Sequence, residues 1–400
     1  MDKRTHPVPT TKRLIYDLVS NKEMVSKAEL LSNLHSISST TLSRLLDEMT
    51  SEGLLLVSGL GASSGGRKPL QYQINPDYGY IFGLEISRMY STLALFDMQM
   101  NVKSITRWRM DEAMAPEPFI QHVQINIKAF LSDHRISTDQ IIGIGIGSVG
   151  PLDRANGIIL KPLHFLANGW LNVPICQLIE ERTGFKARLD NGANMALLGE
   201  HWALRDNDAQ HLLYIHAGAG LRSALMSHGV IVHGSNDMEG AIGQMIIQMD
   251  GPRLLDYGNY GALEAFASVQ ALEKTARAHA KAGRHHLLDM YKVTPEQLNY
   301  ELVARAMTDG DPYATELFRQ SATCLGIGLS NMINMFHPEV VIVGGVLINS
   351  ADMFFQTTTE IARNNTFYYP DYEPIFTKGN LKEDAIVTGT AIMIRNAFTL

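Results

Sequence analysis

Two cysteines, Cys176 and Cys324, are all that 400 residues contain, which excludes a disulfide framework and a Cys-rich zinc site. That scarcity suits a reducing compartment, and the expected location is cytoplasmic. Long apolar runs are missing too: none approaches the roughly 20 residues of a membrane-spanning helix, so no membrane partner is expected. The basic opening MDKRTHPVPTTKR is not followed by the apolar core of a signal peptide. Charge is modest, at 19% of residues, against 45% hydrophobic ones, which describes a globular chain long enough for two or three domains. The net charge of −7 is unevenly spread. Residues 1–75 hold nine Lys and Arg against seven Asp and Glu, and the remainder twenty-five against thirty-four. A slightly basic head on an acidic body fits a nucleic-acid partner at the N-terminal end.

The head carries helical signals. Leu14, Ile15, Leu18 and Val19 recur at helix spacing and predict a buried stripe. Ser26 with Glu29 reads as a capping box before Leu30, Leu31 and Leu34. Ser38 is positioned to cap a third helix whose apolar face is Leu42, Leu45, Leu46 and Met49, and Gly53 supplies a left-handed stop. The N-terminal end of that helix presents Ser38, Ser39, Thr40, Thr41, Ser43 and Arg44. Hydroxyls there suit phosphates and an arginine suits a guanine edge, although Ser/Thr runs also simply cap helices. Two strands, LLLVSGL and LQYQINP, then flank the loop GASSGGRKP with its adjacent Arg67 and Lys68. Three helices followed by a cationic hairpin predict a winged helix-turn-helix over 1–76, with Arg67 and Lys68 on the wing and double-stranded DNA as partner.

The order Ser-x-x-Glu-Leu (Ser26–Leu30), Ser-x-x-Thr-x-Ser-Arg (Ser38–Arg44), Glu-Gly-Leu (Glu52–Leu54) and Gly-Gly-Arg-Lys-Pro (Gly65–Pro69) resembles the head of repressors in the ROK family of repressors and sugar kinases. The resemblance continues through the body. IIGIGIGSVGPLDRANGIIL is similar to the family's Gly-x-Gly-x-x-Gly-Pro-x-Asp segment, and PEVVIVGGVL to its late strand and Gly-Gly turn. Leu93-Ala94-Leu95 and Ser223-Ala224-Leu225 lie 130 residues apart in similar strand-turn-strand patterns, as a duplicated α/β unit requires. The fold this implies is a duplicated α/β actin/hexokinase-like (ribonuclease H-like) body behind the head. Its subdomains are expected at 77–190, completed by a C-terminal helix 385–400, and at 191–384, which carries a dimerisation surface. GIGIGSVG alone also matches a dinucleotide loop, but LDRANGII offers no amphipathic helix to face a pyrophosphate.

Against the kinases of the family the chain departs where chemistry is done. Their Asp-x-Gly-Gly-Thr phosphate loop reads Glu85-Ile86-Ser87-Arg88-Met89, and their Gly-Thr-Gly-x-Gly reads Gly218-Ala219-Gly220-Leu221-Arg222. The catalytic Asp of Asn-Asp-Ala-Asn falls on Gly192, which cannot act as a base. Asp190, two residues earlier, would face the same way about 7 Å off if the strand stayed extended. The family's zinc ligands fall on Gln244, Leu255, Tyr257 and Ala262, so no metal is expected and ordinary packing is expected to hold that loop. His279, His285 and His286 lie among Arg and Lys and read as a solvated helix end. Asn168, Asn191, Gln244 and Glu264 remain at positions where the resemblance implies contacts to a sugar-like effector. No cofactor and no catalytic residue are expected. The resulting expectation is a repressor of carbohydrate-related genes, a homodimer or dimer of dimers on a pseudo-palindromic operator. The alternatives are an active sugar kinase with a vestigial head, and a regulator controlled by a protein partner.

Overall fold

The computed structural model describes residues 10–35, 37–60, 69–162, 165–234 and 241–398. The expected wing tip, including Arg67 and Lys68, lies outside them. The chain divides into two compact units, Met1–Arg205 with Ile386–Leu400, and Asp206–Ala385. Among the described residues no helix is long and apolar enough to cross a membrane.

The head of the first unit comprises α1 (Thr11–Ser20), β1 (Val25–Ser26), α2 (Lys27–Asn33), α3 (Ser39–Ser51), β2 (Leu55–Leu60) and β3 (Leu70–Ile74). Thr10, Ser26 and Ser38 cap the three helices with their hydroxyls, and Glu29 returns its carboxylate to the Ser26 N–H to complete a capping box. Hydrogen bonding from Ser26 to the carboxylate, from its backbone N–H first, holds Glu29 below the usual carboxylate range. Gly53 ends α3 at φ +75°. The strands form a small antiparallel sheet in the order β1-β3-β2; β1 is a third strand that the two-strand sequence pattern did not contain. The α1 stripe also differs from expectation. Leu14 is 36% exposed, while Tyr16 is fully buried with Ile15 and Val19.

The rest of this unit is built on β4 (Tyr80–Ile86), β5 (Tyr90–Asp97), β6 (Val102–Arg109), α4 (Pro116–His134), β7 (Ile141–Ser148), β8 (Leu152–Asp153), β9 (Ile158–Ile159), α5 (Ile175–Thr183), β10 (Ala187–Asn191) and α6 (Gly192–Ala203). The segment after GIGIGSVG forms the β8–β9 hairpin, so no helix stands where a dinucleotide loop needs one. The main sheet runs β10-β7-β4-β5-β6, antiparallel between β4, β5 and β6 and parallel across β4, β7 and β10. Both faces of its central strands β7, β4 and β5 are buried, as their near-continuous apolar runs demand. Phe82, Leu84, Leu93, Leu95, Ile144 and Ile146 meet α4 and α5 on one side. The alternate residues Ile81, Ala94 and Phe96 share a second core with Val387, Ala391, Ile392 and Ile394 of α13 (Ala385–Ala397) and with Ile15, Tyr16, Val19 and Leu55 of the head. Head and sheet are therefore joined through α13 by one apolar cluster rather than by a bare linker.

The second unit repeats the design with β11 (Leu212–Ala217), β12 (Leu221–Ser227), β13 (Val230–Ile231), β14 (Val340–Gly344) and β15 (Ile375–Thr377) in the order β13-β12-β11-β14-β15. Again three antiparallel strands come first and two parallel strands follow. Its helices are α7 (Val269–Lys281), α8 (His286–Tyr291), α9 (Tyr300–Thr308), α10 (Pro312–Phe336), α11 (Val346–Ser350) and α12 (Asp352–Asn364). The 130-residue offset seen in sequence places the second strand of one sheet on the second strand of the other, as duplication requires.

Candidate nucleic-acid interface and effector site

The N-terminal end of α3 exposes Ser38, Ser39, Thr40, Thr41 and Arg44, with Ser43 half-buried. Two of these hydroxyls serve the helix itself: the Ser38 Oγ accepts the Thr41 N–H at 3.1 Å and lies 2.9 Å from the Thr41 Oγ1. Ser39, Thr40 and Arg44 present the outward surface. The Arg44 side chain is 69% exposed and, among the described residues, pairs with the Glu48 carboxylate, 3.2 Å away one turn on. Such an exposed pair contributes little and leaves the guanidinium available to a competing anion.

Two lysines that sequence reasoning missed complete this surface. Lys27, the first residue of α2, donates to the Ser43 Oγ at 2.5 Å and so adds a cation beside the α3 N-terminus. Lys12 of α1 lies 3.2 Å from Glu48 and 2.6 Å from Glu52. Its hydrogen bond to Glu52 is the main cause of its raised pKa. It thereby neutralises acids that would otherwise repel a polyanion from this helix. The only sequence signal was a Lys on one helix and acids on another, whose meeting depends on packing.

The expected effector residues fall on both units. Asn168 is exposed in the loop before the buried Trp170, whose indole N–H donates to the Met114 carbonyl. Asn191 is half-buried and caps α6, its Oδ1 accepting the Ala193 N–H at 2.9 Å. This corrects the extended-strand picture of Asp190. The strand ends at Asn191, Gly192 opens α6, and Asp190 is 7% exposed. Its carboxylate accepts the Asn191 N–H at 2.6 Å and the Asn194 amide at 2.9 Å, and sits 3.6 Å from the Arg154 guanidinium.

In the second unit Gln244 and Glu264 are brought together: the Gln244 Nε2 donates to the Glu264 Oε2 at 3.3 Å. The other Glu264 oxygen accepts the Leu221 N–H at 2.9 Å, at the turn where a kinase would present amides to phosphate. Of the three residues expected to pack the loop beyond Gln244, Ala262 is buried and Leu255 half-buried, whereas Tyr257 is 54% exposed. Hydrogen bonds hold the loop as well. The Asn259 N–H and side-chain amide donate to the Gln244 Oε1 and carbonyl at 2.9 and 2.8 Å, and Ile246 bridges Ala262. Polar groups now close a loop that metal closes in the sequence pattern it resembles. Among the described residues no group of three or more His, Cys, Asp or Glu is poised for a metal ion. Of the three clustered histidines, His279 lies 2.9 Å from the Tyr313 hydroxyl and His286 meets the Asp311 carboxylate, the cap of α10.

Two outcomes follow for this loop. EDTA should leave the thermal midpoint unchanged. Glu264→Ala should cost about 1–3 kcal/mol in urea unfolding, because it strands the Leu221 N–H beneath a side chain only 5% exposed. A Glu264→Ala variant as stable as wild type would refute that contact.

The duplicated sheets agree with the comparisons. A ROK family model matches residues 81–397, and the chain belongs to the ROK family. It is 26% identical to the xylose repressor of Caldicellulosiruptor bescii over 96% of this chain and 94% of that one. It is 29% identical to the glucokinase of Thermotoga maritima over 63% of this chain and 78% of that one. The crystal structure of a ROK family transcriptional regulator, a homolog of the E. coli MLC protein, superposes with a TM-score of 0.76 at 22% identity, covering 97% and 96% of the two chains. The body thus has the actin/hexokinase-like fold of the family.

Proposed function

We propose that this chain is a DNA-binding transcriptional regulator, a repressor of carbohydrate-related genes, whose kinase-like body responds to a sugar-like effector without phosphorylating it. The observation that carries the reading is the extent of likeness. The xylose repressor matches 96% of the chain, head and body together, whereas the glucokinase matches 63%. On this reading the three helices and small sheet of the head are a winged helix-turn-helix, with α3 entering the major groove N-terminus first and Arg67 and Lys68 on the wing. A two-fold dimer places two heads on a pseudo-palindrome. Asn168, Asn191, Gln244 and Glu264 would meet the effector. Loss of catalysis rests on Gly192 at the base position and on Glu264 occupying the Leu221 amide.

Binding of the full chain to genomic DNA fragments should weaken linearly in log K against log salt, with a slope of about −0.9 per phosphate contacted. Salt-independent binding would contradict the reading. The T. maritima likeness motivates the opposing test. A coupled assay over a panel of sugars should show no sugar-dependent ATP consumption; turnover lost on Asp190→Ala would establish the kinase instead.

A further inference from the structure

The seam between the head and α13 contains a charge that nothing among the described residues balances. Arg395, in the last turn of α13, is 1% exposed and is the largest fully buried side chain among the described residues. Its Nε has no partner, and no hydrogen bond or ion pair reaches the guanidinium from any described residue. Across the seam lies Tyr16 of α1, fully buried, its hydroxyl equally without a partner. The other charged groups that bear on Arg395 are Asp17, Arg13 and Arg205. Asp17 offers the one carboxylate of the three, and the Arg13 Nε holds it at 2.8 Å. Arg205 stacks over Trp202 at 4.3 Å and reaches Glu23 at 3.5 Å. Among the described residues the local balance is therefore positive around a guanidinium that cannot shed its proton.

Everything else at the seam favours contact. Arg13 donates from both terminal nitrogens, at 2.6 Å each, to the Phe398 and Asn396 carbonyls at the end of α13. The Phe398 ring packs against Tyr16 and Tyr78 with centroids 6.5 and 5.9 Å apart. Ile15, Tyr16 and Val19 share their core with Ile392 and Ile394. An apolar side chain as long as arginine would fill the same space without the desolvation penalty, and such replacements of buried ions are often stabilising. A well-made seam with one opposing residue describes a contact set to be breakable.

We propose that Arg395, with Tyr16, is a positioning pair that keeps docking of the head on α13 shallow, so that the head exchanges between a docked state and an undocked one in which both polar groups are hydrated. The proposal concerns the head's own equilibrium, and its test needs no DNA and no effector, so it stands or falls separately from the regulatory reading.

The test is hydrogen–deuterium exchange on the full chain, following the amides of α1 and α3 with those of β11 and β14 as an internal control. Arg395→Met should slow exchange in α1 about tenfold or more, because undocking loses its gain from hydrating a charge, and should leave the control strands unchanged. Arg395→Lys retains the charge and should exchange within about threefold of wild type. Tyr16→Phe removes only the unpartnered hydroxyl and should slow α1 in the same direction as Met. It also serves as the second arm should Arg395→Met fail to fold. Unchanged or faster α1 exchange in Tyr16→Phe and in a folded Arg395→Met overturns the proposal, as does an Arg395→Lys variant that behaves like Met.

Discussion

Gly389→Ala should unfold the first unit or destabilise it on the order of 3–5 kcal/mol, a large effect for the addition of one methyl group. A Cβ at position 389 would stand 1.8 Å from the Met195 carbonyl oxygen and 2.9 Å from the Gly199 nitrogen, where α13 crosses α6. Both obstacles are backbone atoms of a helix and cannot rotate aside. Gly145→Ala should act similarly, since its Cβ would lie 2.0 Å from the Thr390 oxygen on the sheet face that α13 covers. The control is Gly192→Ala, whose Cβ finds nothing nearer than 3.5 Å at the start of α6. It should be neutral or more stable by about 0.5–1 kcal/mol. Urea unfolding of the three variants checks the ordering, and a Gly389→Ala midpoint matching wild type would mean that α13 is not seated as described. Because α13 also carries Asn396, Phe398 and Arg395 to the head, the destabilised variants should lose protection in α1 as well.

Arg44→Ala should weaken binding to a specific DNA site by about 1–3 kcal/mol, or roughly five- to 150-fold, while changing non-specific binding much less. The side chain is exposed near the N-terminal end of α3, where its partner among the described residues is Glu48. Lys27→Ala should behave differently. As a cation placed beside Ser43, it should weaken binding to all sequences and reduce the salt slope by about one. Fluorescence anisotropy at several salt concentrations separates the two. Equal loss of specific and non-specific affinity in Arg44→Ala would remove it from base readout.

Features set by neighbours in the chain were legible in the sequence alone. The Ser26–Glu29 box, the Ser38 cap and the Gly53 stop each depend on residues within one turn, and each forms as spaced. The duplication was visible in a short Ala-Leu match within similar strand patterns because it copies a strand at a fixed offset. What depended on distant packing was not legible. Leu14 and Tyr16 both fit an apolar stripe on α1, and the docking of α13 decides which is buried. Lys12 joins Glu48 and Glu52 only because α1 and α3 are neighbours in space. Gly192 was placed beyond an extended Asp190, whereas the Asn191 side chain caps a helix that starts there. Arg395 carries no local sequence signal of its own, and its isolation is visible only where Tyr16 covers it.

The central claim, that the head reads DNA sequence, is tested most directly by incubating the purified chain with fragmented genomic DNA and sequencing what it retains, beside an Arg44→Ala, Arg67→Ala double variant. The account predicts that wild type enriches a few pseudo-palindromic sites and that the double variant loses them. The genes beside those sites would then nominate the effector. Retention of the same featureless background by both proteins would contradict it.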